Sequence, residues 1–301
     1  MMAVQCELPP VTGALRRLRR MPLAGQQVPI VGAFLCSYLL YGQISGTPSS
    51  AGWHLLAGLG SFIVLFAQLR FIDDLDDLER DHPPGSCGAA RGSSLRARLV
   101  VGLGACLIIT ILLNLENRHA LMAALAATAL AYMAPFGFKR CFPRSVMASF
   151  PAFEGAPALI FAYVYFFWRD AGGSELSPAA VLGVTGLFWA GYEFWKFSRK
   201  AHTEALQPYL LSPRGIRVAL NGFLVLALVA SLTLGQMAGL SVVFRVWATV
   251  LVVGWLVWLN LRWSRPRSAS ALAPPMWAGM SLVAVLEVIL LIELLMPRVW
   301  S

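Results

Sequence analysis

The sequence predicts an all-α integral membrane protein, nine transmembrane helices in one bundle with a polar cytoplasmic cap over a hydrophobic cavity. Three observations point there. Of 301 residues, 58% are hydrophobic and 13% charged, where soluble domains run near about 45–50% and about 25%. The mean hydropathy is +0.67. Nine stretches of the roughly 20 mainly apolar residues that a spanning helix needs follow one another with short polar breaks. Backbone groups find no water in lipid, so only helices or closed barrels cross it, and apolar runs of that length select helices.

Fifteen acidic and 24 basic residues cannot solvate a soluble globule of this size. An ordinary cytosolic enzyme, a disordered chain and a secreted disulfide scaffold are thereby excluded. Cys6, Cys36, Cys87, Cys106 and Cys141 form no CxxC pair and are odd in number, which reads as free or buried thiols, not a disulfide framework or a zinc site. No repeat of fixed period and no long linker divides the chain.

The expected spans are 28–46, 51–71, 98–114, 119–136, 147–168, 178–196, 216–237, 241–261 and 276–296. Gly-Pro-Ser clusters and charges separate them, most briefly between the third and fourth, where only Asn114 to His119 intervene. Residues 1–26 read as a cytoplasmic N-terminal segment and 27–301 as one transmembrane domain. Arg16, Arg17, Arg19 and Arg20 precede the first span with no cleavage pattern, so no signal peptide is expected. With the N-terminus in the cytoplasm, 20 Lys and Arg residues fall inside, and only Arg118, Arg169, Arg245 and Arg298 fall outside. Positive charge gathers on the cytoplasmic side of membrane proteins. The net charge of +9 is therefore a matter of orientation, and no nucleic-acid partner is expected. Arginine outnumbers lysine 21 to 3, which suggests a GC-rich bacterial source and a bacterial cell membrane.

Six of the 15 acidic residues lie within nine positions: Asp73, Asp74, Asp76, Asp77, Glu79 and Asp81. The run RFIDDLDDLERD closes the second span. At helical spacing Asp74, Asp77 and Asp81 fall within about 60° of one another, with Arg70 one turn earlier on that face. A solvated acidic helix end is the ordinary reading of such a run. Here acid is scarce elsewhere and the cytoplasmic rim is otherwise basic, which favours a site. Carboxylates so close repel unless cations compensate them. Their hard oxygens suit Mg²⁺, which is bound through a few carboxylates, waters and substrate phosphates.

These residues resemble the UbiA superfamily of intramembrane prenyltransferases. The first family motif, N/D-D-x-x-D-x-x-x-D at the end of the second helix, is matched by Asp73, Asp74, Asp77 and Asp81, with Pro83 and Pro84 following. The family has nine transmembrane helices. The resemblance implies that these carboxylates hold Mg²⁺ and, through it, an isoprenoid diphosphate. It spans the chain in topology but only two short motifs in residue identity.

The second family motif, D-x-x-D-x-x-x-D after the sixth helix, is altered. Here the stretch reads YEFWKFSRKAHTEALQPY, in which Tyr192 and Lys196 fit the usual lead-in. The three acidic places are taken by Phe197, Lys200 and Glu204. Glu193, Lys196, Lys200 and Glu204 share a helical face, with Arg199 beside it. A second fully carboxylate-bound ion is not expected. Either Lys196, Arg199 and Lys200 neutralise diphosphate directly, or Glu193 and Glu204 ligate one ion. A helix end knit by i,i+4 ion pairs is the plain alternative. Lys139 and Arg140 stand where family members place a basic pair near the diphosphate, and they serve equally well as orientation charges. Glu154 and Glu287 lie inside expected spans, where an ionisable group is functional by default. His202 reads as a loop residue. Phe153, Glu154, Tyr163, Tyr192 and Trp195 are candidate cavity residues whose aromatic faces stabilise a carbocation.

The resemblance implies Mg²⁺-dependent loss of diphosphate from an allylic isoprenoid diphosphate. The prenyl cation is then captured by an aromatic or lipid acceptor, or by its own double bond in a cyclisation. A transporter or ion-binding protein is the alternative of another class, disfavoured by the lack of inverted repeats and by an acidic cluster at the rim instead of the midplane. A lipid phosphotransferase is disfavoured by the lack of its D-G-x-x-A-R signature. In cysteine-accessibility mapping, positions 76 and 170 are expected to label from opposite sides of the membrane. Labelling from one side would overturn the nine-span reading.

Overall fold

The computed structural model describes residues 23–47, 52–81, 89–138, 146–202, 213–263 and 276–295. Among them are nine α-helices and no strand: α1 (Leu23–Ser45), α2 (Trp53–Asp81), α3 (Ala89–Leu113), α4 (Arg118–Met133), α5 (Val146–Asp170), α6 (Pro178–His202), α7 (Pro213–Met237), α8 (Val242–Trp263) and α9 (Met276–Leu295). Each expected span has its helix. Helix α1 begins at Leu23, inside the segment 1–26 expected to precede the membrane domain. Among the described residues, α2, α3, α4, α7 and α8 are long and apolar enough to cross a membrane unaided, and α1 contributes the shorter apolar stretch Pro29–Ser45. Helices α6 and α9 carry buried acids (Glu193, Glu287 and Glu293), and α5 carries Glu154. Their place in the bundle rests on neighbours as well as on hydropathy.

Helices α2 to α5 form one group and α6 to α9 another; the two meet directly through α5 and α6 and through α1, which touches α2, α5, α6 and α9. The outer faces are apolar. Val100, Val101, Ile108 and Leu112 of α3 and Val246, Trp247, Val250 and Val257 of α8 are exposed, as lipid contact requires and water would penalise.

Helix ends follow local chemistry. Helix α7 stops at Gly239, whose φ of 62° places it in the left-handed region that glycine occupies without strain. Leu240 N–H then donates to Gly235 O, and Ala238 N–H to Leu234 O, closing a glycine C-cap. At the start of α4, Asn117 offers no side-chain cap. Asp170 from the end of α5 takes that place, accepting from His119 N–H at 2.8 Å and Ala120 N–H at 3.0 Å. A carboxylate at a helix N-terminus satisfies orphan donors and the helix dipole together. Glu293 of α9 does the same for α8, accepting from Ser241 N–H at 2.7 Å.

Between α2, α3, α4 and α5 lies a buried polar network that hydropathy does not reveal. Gln68 donates to Thr110 Oγ1 at 2.9 Å and accepts from Thr128 Oγ1. Asn114 donates to Ser61 Oγ and Thr110 O, both at 2.7 Å, and accepts from Tyr163 OH at 2.8 Å. Tyr163 was expected beside the cavity. It belongs instead to this network, because its hydroxyl needs a partner when the ring is fully buried. Asn114→Ala leaves the Tyr163 and Ser61 hydroxyls short of partners, a penalty of about 1–3 kcal/mol. Thermal unfolding in detergent is expected to show that loss, with Leu112→Ala on the lipid face nearly neutral.

Candidate functional site

The acidic run continues α2 as helix through Asp81, with Ile72, Leu75 and Leu78 turned into the protein. The side chains of Glu79, Arg80 and Asp81 lie outside the described residues. Asp73 is exposed and Asp74, Asp76 and Asp77 are half-buried. Arg70 Nη2 meets Asp74 Oδ1 at 2.6 Å, while Arg70 Nε is buried without a hydrogen-bond partner. One guanidinium thus pairs with a carboxylate and keeps a spare N–H, although the pair as a whole is partly exposed. Among the described residues, no three metal-ligating side chains meet. Carboxylates strung along one helix end bind Mg²⁺ only with waters and phosphate oxygens completing the shell, as that ion prefers.

The end of α6 supplies a second pair. Glu193 is fully buried, and Lys196 Nζ lies 3.2 Å from its Oε2 and donates to Oε1 at 3.4 Å. The contact at Oε2 is charge attraction without hydrogen-bond alignment. Lys196 also sits 5.9 Å from the centre of the Tyr192 ring, within cation–π reach. The backbones of Arg199 and Lys200 are helical, but their side chains lie outside the described residues. So do Glu204, Lys139 and Arg140 entirely, and the side chains of Phe153 and Glu154.

Inward of these pairs stands an aromatic wall. Phe66, Phe161 and Tyr192 from α2, α5 and α6 form a triangle with ring centres 5.7, 5.2 and 5.9 Å apart. Phe62 extends it, 5.1 Å from Phe66 and 5.7 Å from Phe161. Trp195 flanks it, 5.7 Å from Tyr192. The wall and the charges are linked by spacing. Phe62, Phe66, Arg70 and Asp74 follow one another at i,i+4 along α2, and Phe188, Tyr192 and Lys196 do so along α6. Each helix therefore passes from aromatic to charged on one stripe, and the two stripes meet through Phe66 and Tyr192.

Behind Tyr192 opens a small pocket, partly open to its surroundings, between α1, α5, α6 and α9; Phe161, Phe188, Tyr192, Trp195 and Glu287 are among its walls. Tyr192 and Trp195 were expected there from the sequence. Phe161 was not, and neither were Phe62 and Phe66 of the adjoining wall, although the i,i+4 stripe leading to Arg70 marks those two. Directly after α4, Ala134–Phe138 form a π-helical segment. Pro135 lacks an N–H, which loosens the ladder there, and Phe136 packs against the Leu75, Leu78 and Leu99 cluster below the acidic run.

Comparison with solved structures shows what this arrangement resembles. A UbiA homologue from Archaeoglobus fulgidus aligns over 90% of this chain and 98% of its own, with a TM-score of 0.59 at 15% identity. The chain has the UbiA fold. The same homologue bound to DMAPP and Mg²⁺ aligns over 89% of this chain and 99% of its own, with a TM-score of 0.54 at 17% identity. Bound to GPP and Mg²⁺ it aligns over 88% and 99%, with a TM-score of 0.51 at 17% identity. No family model and no curated protein sequence matches the chain. The UbiA fold, then, is shared over nearly the whole length while most side chains differ.

The buried Glu193–Lys196 pair makes a stability prediction. Lys196→Met strands a buried carboxylate and is expected to cost about 3 kcal/mol. Adding Glu193→Gln removes the stranded charge and is expected to restore most of the loss. A double-mutant cycle by thermal unfolding reads this directly, and additive effects would mean the pair is not coupled.

Proposed function

We propose that the chain is a UbiA-type enzyme that ionises an allylic isoprenoid diphosphate and transfers the prenyl group to an acceptor. The observation that carries this reading is the aromatic wall of Phe62, Phe66, Phe161 and Tyr192 set directly inward of the Arg70–Asp74 and Glu193–Lys196 pairs. Loss of diphosphate creates charge of both signs within a few ångströms. Cationic groups are needed where the diphosphate leaves, and electron-rich faces where the allylic cation forms. An apolar surround keeps water from capturing that cation. The shared fold with homologues bound to DMAPP or GPP with Mg²⁺ supports the same chemistry.

In this reading the charged end faces the cytoplasm. Asp73, Asp74, Asp77 and Asp81 hold Mg²⁺, with Glu204 as the acidic ligand of the altered second motif. When bound, the ion neutralises the diphosphate and so eases its departure. The spare Arg70 Nε–H donates to a phosphate oxygen. Lys196, Arg199 and Lys200, with Lys139 and Arg140 from the chain after α4, supply further donors. Lys196 also holds Glu193 neutralised when no anion is present. The prenyl tail lies along Phe66, Phe161 and Tyr192, where the cation is stabilised until the acceptor reaches it.

The test is incubation of the purified protein with Mg²⁺ and allylic diphosphates of several chain lengths, with and without aromatic and lipid acceptors, read by mass spectrometry. Acceptor-dependent prenylated product supports transfer. A cyclic hydrocarbon formed without an acceptor would assign cyclisation instead, and no diphosphate release under any condition would overturn the enzyme reading. Asp74→Ala, Asp77→Ala and Asp81→Ala are each expected to raise the activation barrier by about 2–4 kcal/mol, with Asp76→Ala and Glu79→Ala affected far less. Lys200→Ala is expected to lower kcat/KM well beyond twofold, and an unchanged value with unchanged Mg²⁺ dependence would remove the second cluster from the site.

A further inference from the structure

Glu287 is a buried carboxylate on α9, 5% exposed, and its Oε1 has no hydrogen-bond partner. Trp195 of α6 presents a buried indole Nε1–H that also lacks one. Both residues line the pocket behind Tyr192. A desolvated polar atom without a partner is costly, and two of opposite kind at one small cavity point to something that bonds to both. The surroundings put the carboxyl group there. A Cβ at Gly32 of α1 would overlap Glu287 Oε2 and stand 3.0 Å from the carboxyl carbon, so glycine is what lets the group lie against α1. Cys36, one turn on, donates its thiol to Glu287 O at 3.4 Å.

The size of the cavity selects the occupant. It measures about 30 Å³, where a buried water needs about 10–15 Å³ and small-molecule pockets run to roughly 300–1,000 Å³. A ring does not fit; a water does. Water donates to a carboxylate and accepts from an indole N–H at once, and still keeps a free lone pair. Ile30, Ala33, Phe161 and Phe188 offer it only apolar walls, so Glu287 and Trp195 are the groups that anchor it. Phe161 and Tyr192 belong both to this cavity and to the aromatic wall inward of the charged pairs. The cavity therefore adjoins the surface proposed to carry the allylic cation.

We propose that the chain has a second activity, hydrolysis of allylic diphosphates by a water that Glu287 and Trp195 hold beside the aromatic wall. The proposal rests on the reading that an allylic diphosphate ionises here. The C–O bond of the substrate breaks and its electron pair leaves with the diphosphate. The free lone pair of the held water then forms a new C–O bond to the allylic cation. One water proton passes to the Glu287 carboxylate, which releases it as the next water enters, and the product is an allylic alcohol. Glu287 is the catalytic base of this step, and Trp195 orients the water. An acceptor lying on the wall competes with that water, so hydrolysis is fastest when no acceptor is present.

The test gives the full chain in lipid nanodiscs farnesyl diphosphate and Mg²⁺ in H₂¹⁸O, without acceptor, and reads the products by mass spectrometry against protein-free discs. The expected product is farnesol or its tertiary isomer carrying ¹⁸O, formed well above the protein-free rate. Alcohol that retains ¹⁶O comes from P–O cleavage and overturns the proposal, as does hydrocarbon in place of alcohol. Glu287→Gln is expected to lower alcohol formation by roughly a hundredfold, the usual worth of a general base, while farnesyl thiodiphosphate with Mg²⁺ still binds. An alcohol rate within about twofold of the parent, in a Glu287→Gln protein of parental thermal stability, overturns the proposal. Should that variant fail to fold, Trp195→Phe decides: a clear fall in alcohol formation supports the held water, and an unchanged rate overturns it. Unmodified protein that binds farnesyl thiodiphosphate but yields no alcohol above protein-free discs refutes the held water alone. Absence of both analogue binding and diphosphate release refutes the ionisation reading on which the proposal rests.

Discussion

A polar group inside a bilayer has no water to fall back on, and most of this molecule is arranged around that fact. Gln68, Asn114, Ser61, Thr110, Thr128 and Tyr163 satisfy one another across four helices. Each bond contributes modestly, but each lost partner would leave a desolvated group behind. The network therefore fixes how α2, α3, α4 and α5 are rotated about their axes, which apolar packing alone leaves loosely specified. Asp170 and Glu293 extend the same logic to helix ends, where carboxylates from neighbouring helices take up backbone N–H groups that would otherwise be orphaned.

Fixing those rotations positions the charged end of α2. Helix α2 must present Phe62, Phe66, Arg70 and Asp74 on one stripe toward α5 and α6, and a rotation of about 100°, one residue's worth, would turn the stripe away. Because Gln68 is tied on the adjoining face to α3 and α4, the aromatic and charged stripe is held toward Phe161 and Tyr192. The buried polar groups of the α2–α5 half therefore orient that stripe without being part of it. On the α6 side the buried Glu193 tethers Lys196 close to the Tyr192 ring, so that a cation waits at the border between the charged rim and the apolar interior.

Glu287 is one of several described residues with a buried polar atom lacking a hydrogen-bond partner. Its backbone environment is built, with Gly32 giving it room and Cys36 bonded to its carbonyl, yet its Oε1 and the facing Trp195 Nε1 lack partners. Among the described residues, the other buried carboxylates are paired, Glu193 with a lysine and Glu293 with a helix N-terminus, while this one lines a pocket. That contrast within a single chain carries more weight than the occurrence of an acid in a membrane helix.

The membrane class, the nine helices and the position of the acidic run at the end of the second were all legible in the chain, because hydropathy and 3.6-residue spacing are local properties and lipid enforces them strictly. The i,i+4 stripe from Phe62 to Asp74 was equally present in the residues, but nothing local said which side of α2 faces inward. What only the tertiary structure decided was which distant side chains meet: Phe66 with Phe161 and Tyr192, Tyr163 with Asn114 away from the pocket, and Asp170 with the start of α4. Those pairings join residues 49 to 126 positions apart. They follow from the mutual rotation of helices, set by shape and by buried hydrogen bonds, and a periodicity read along one helix carries no information about its neighbour.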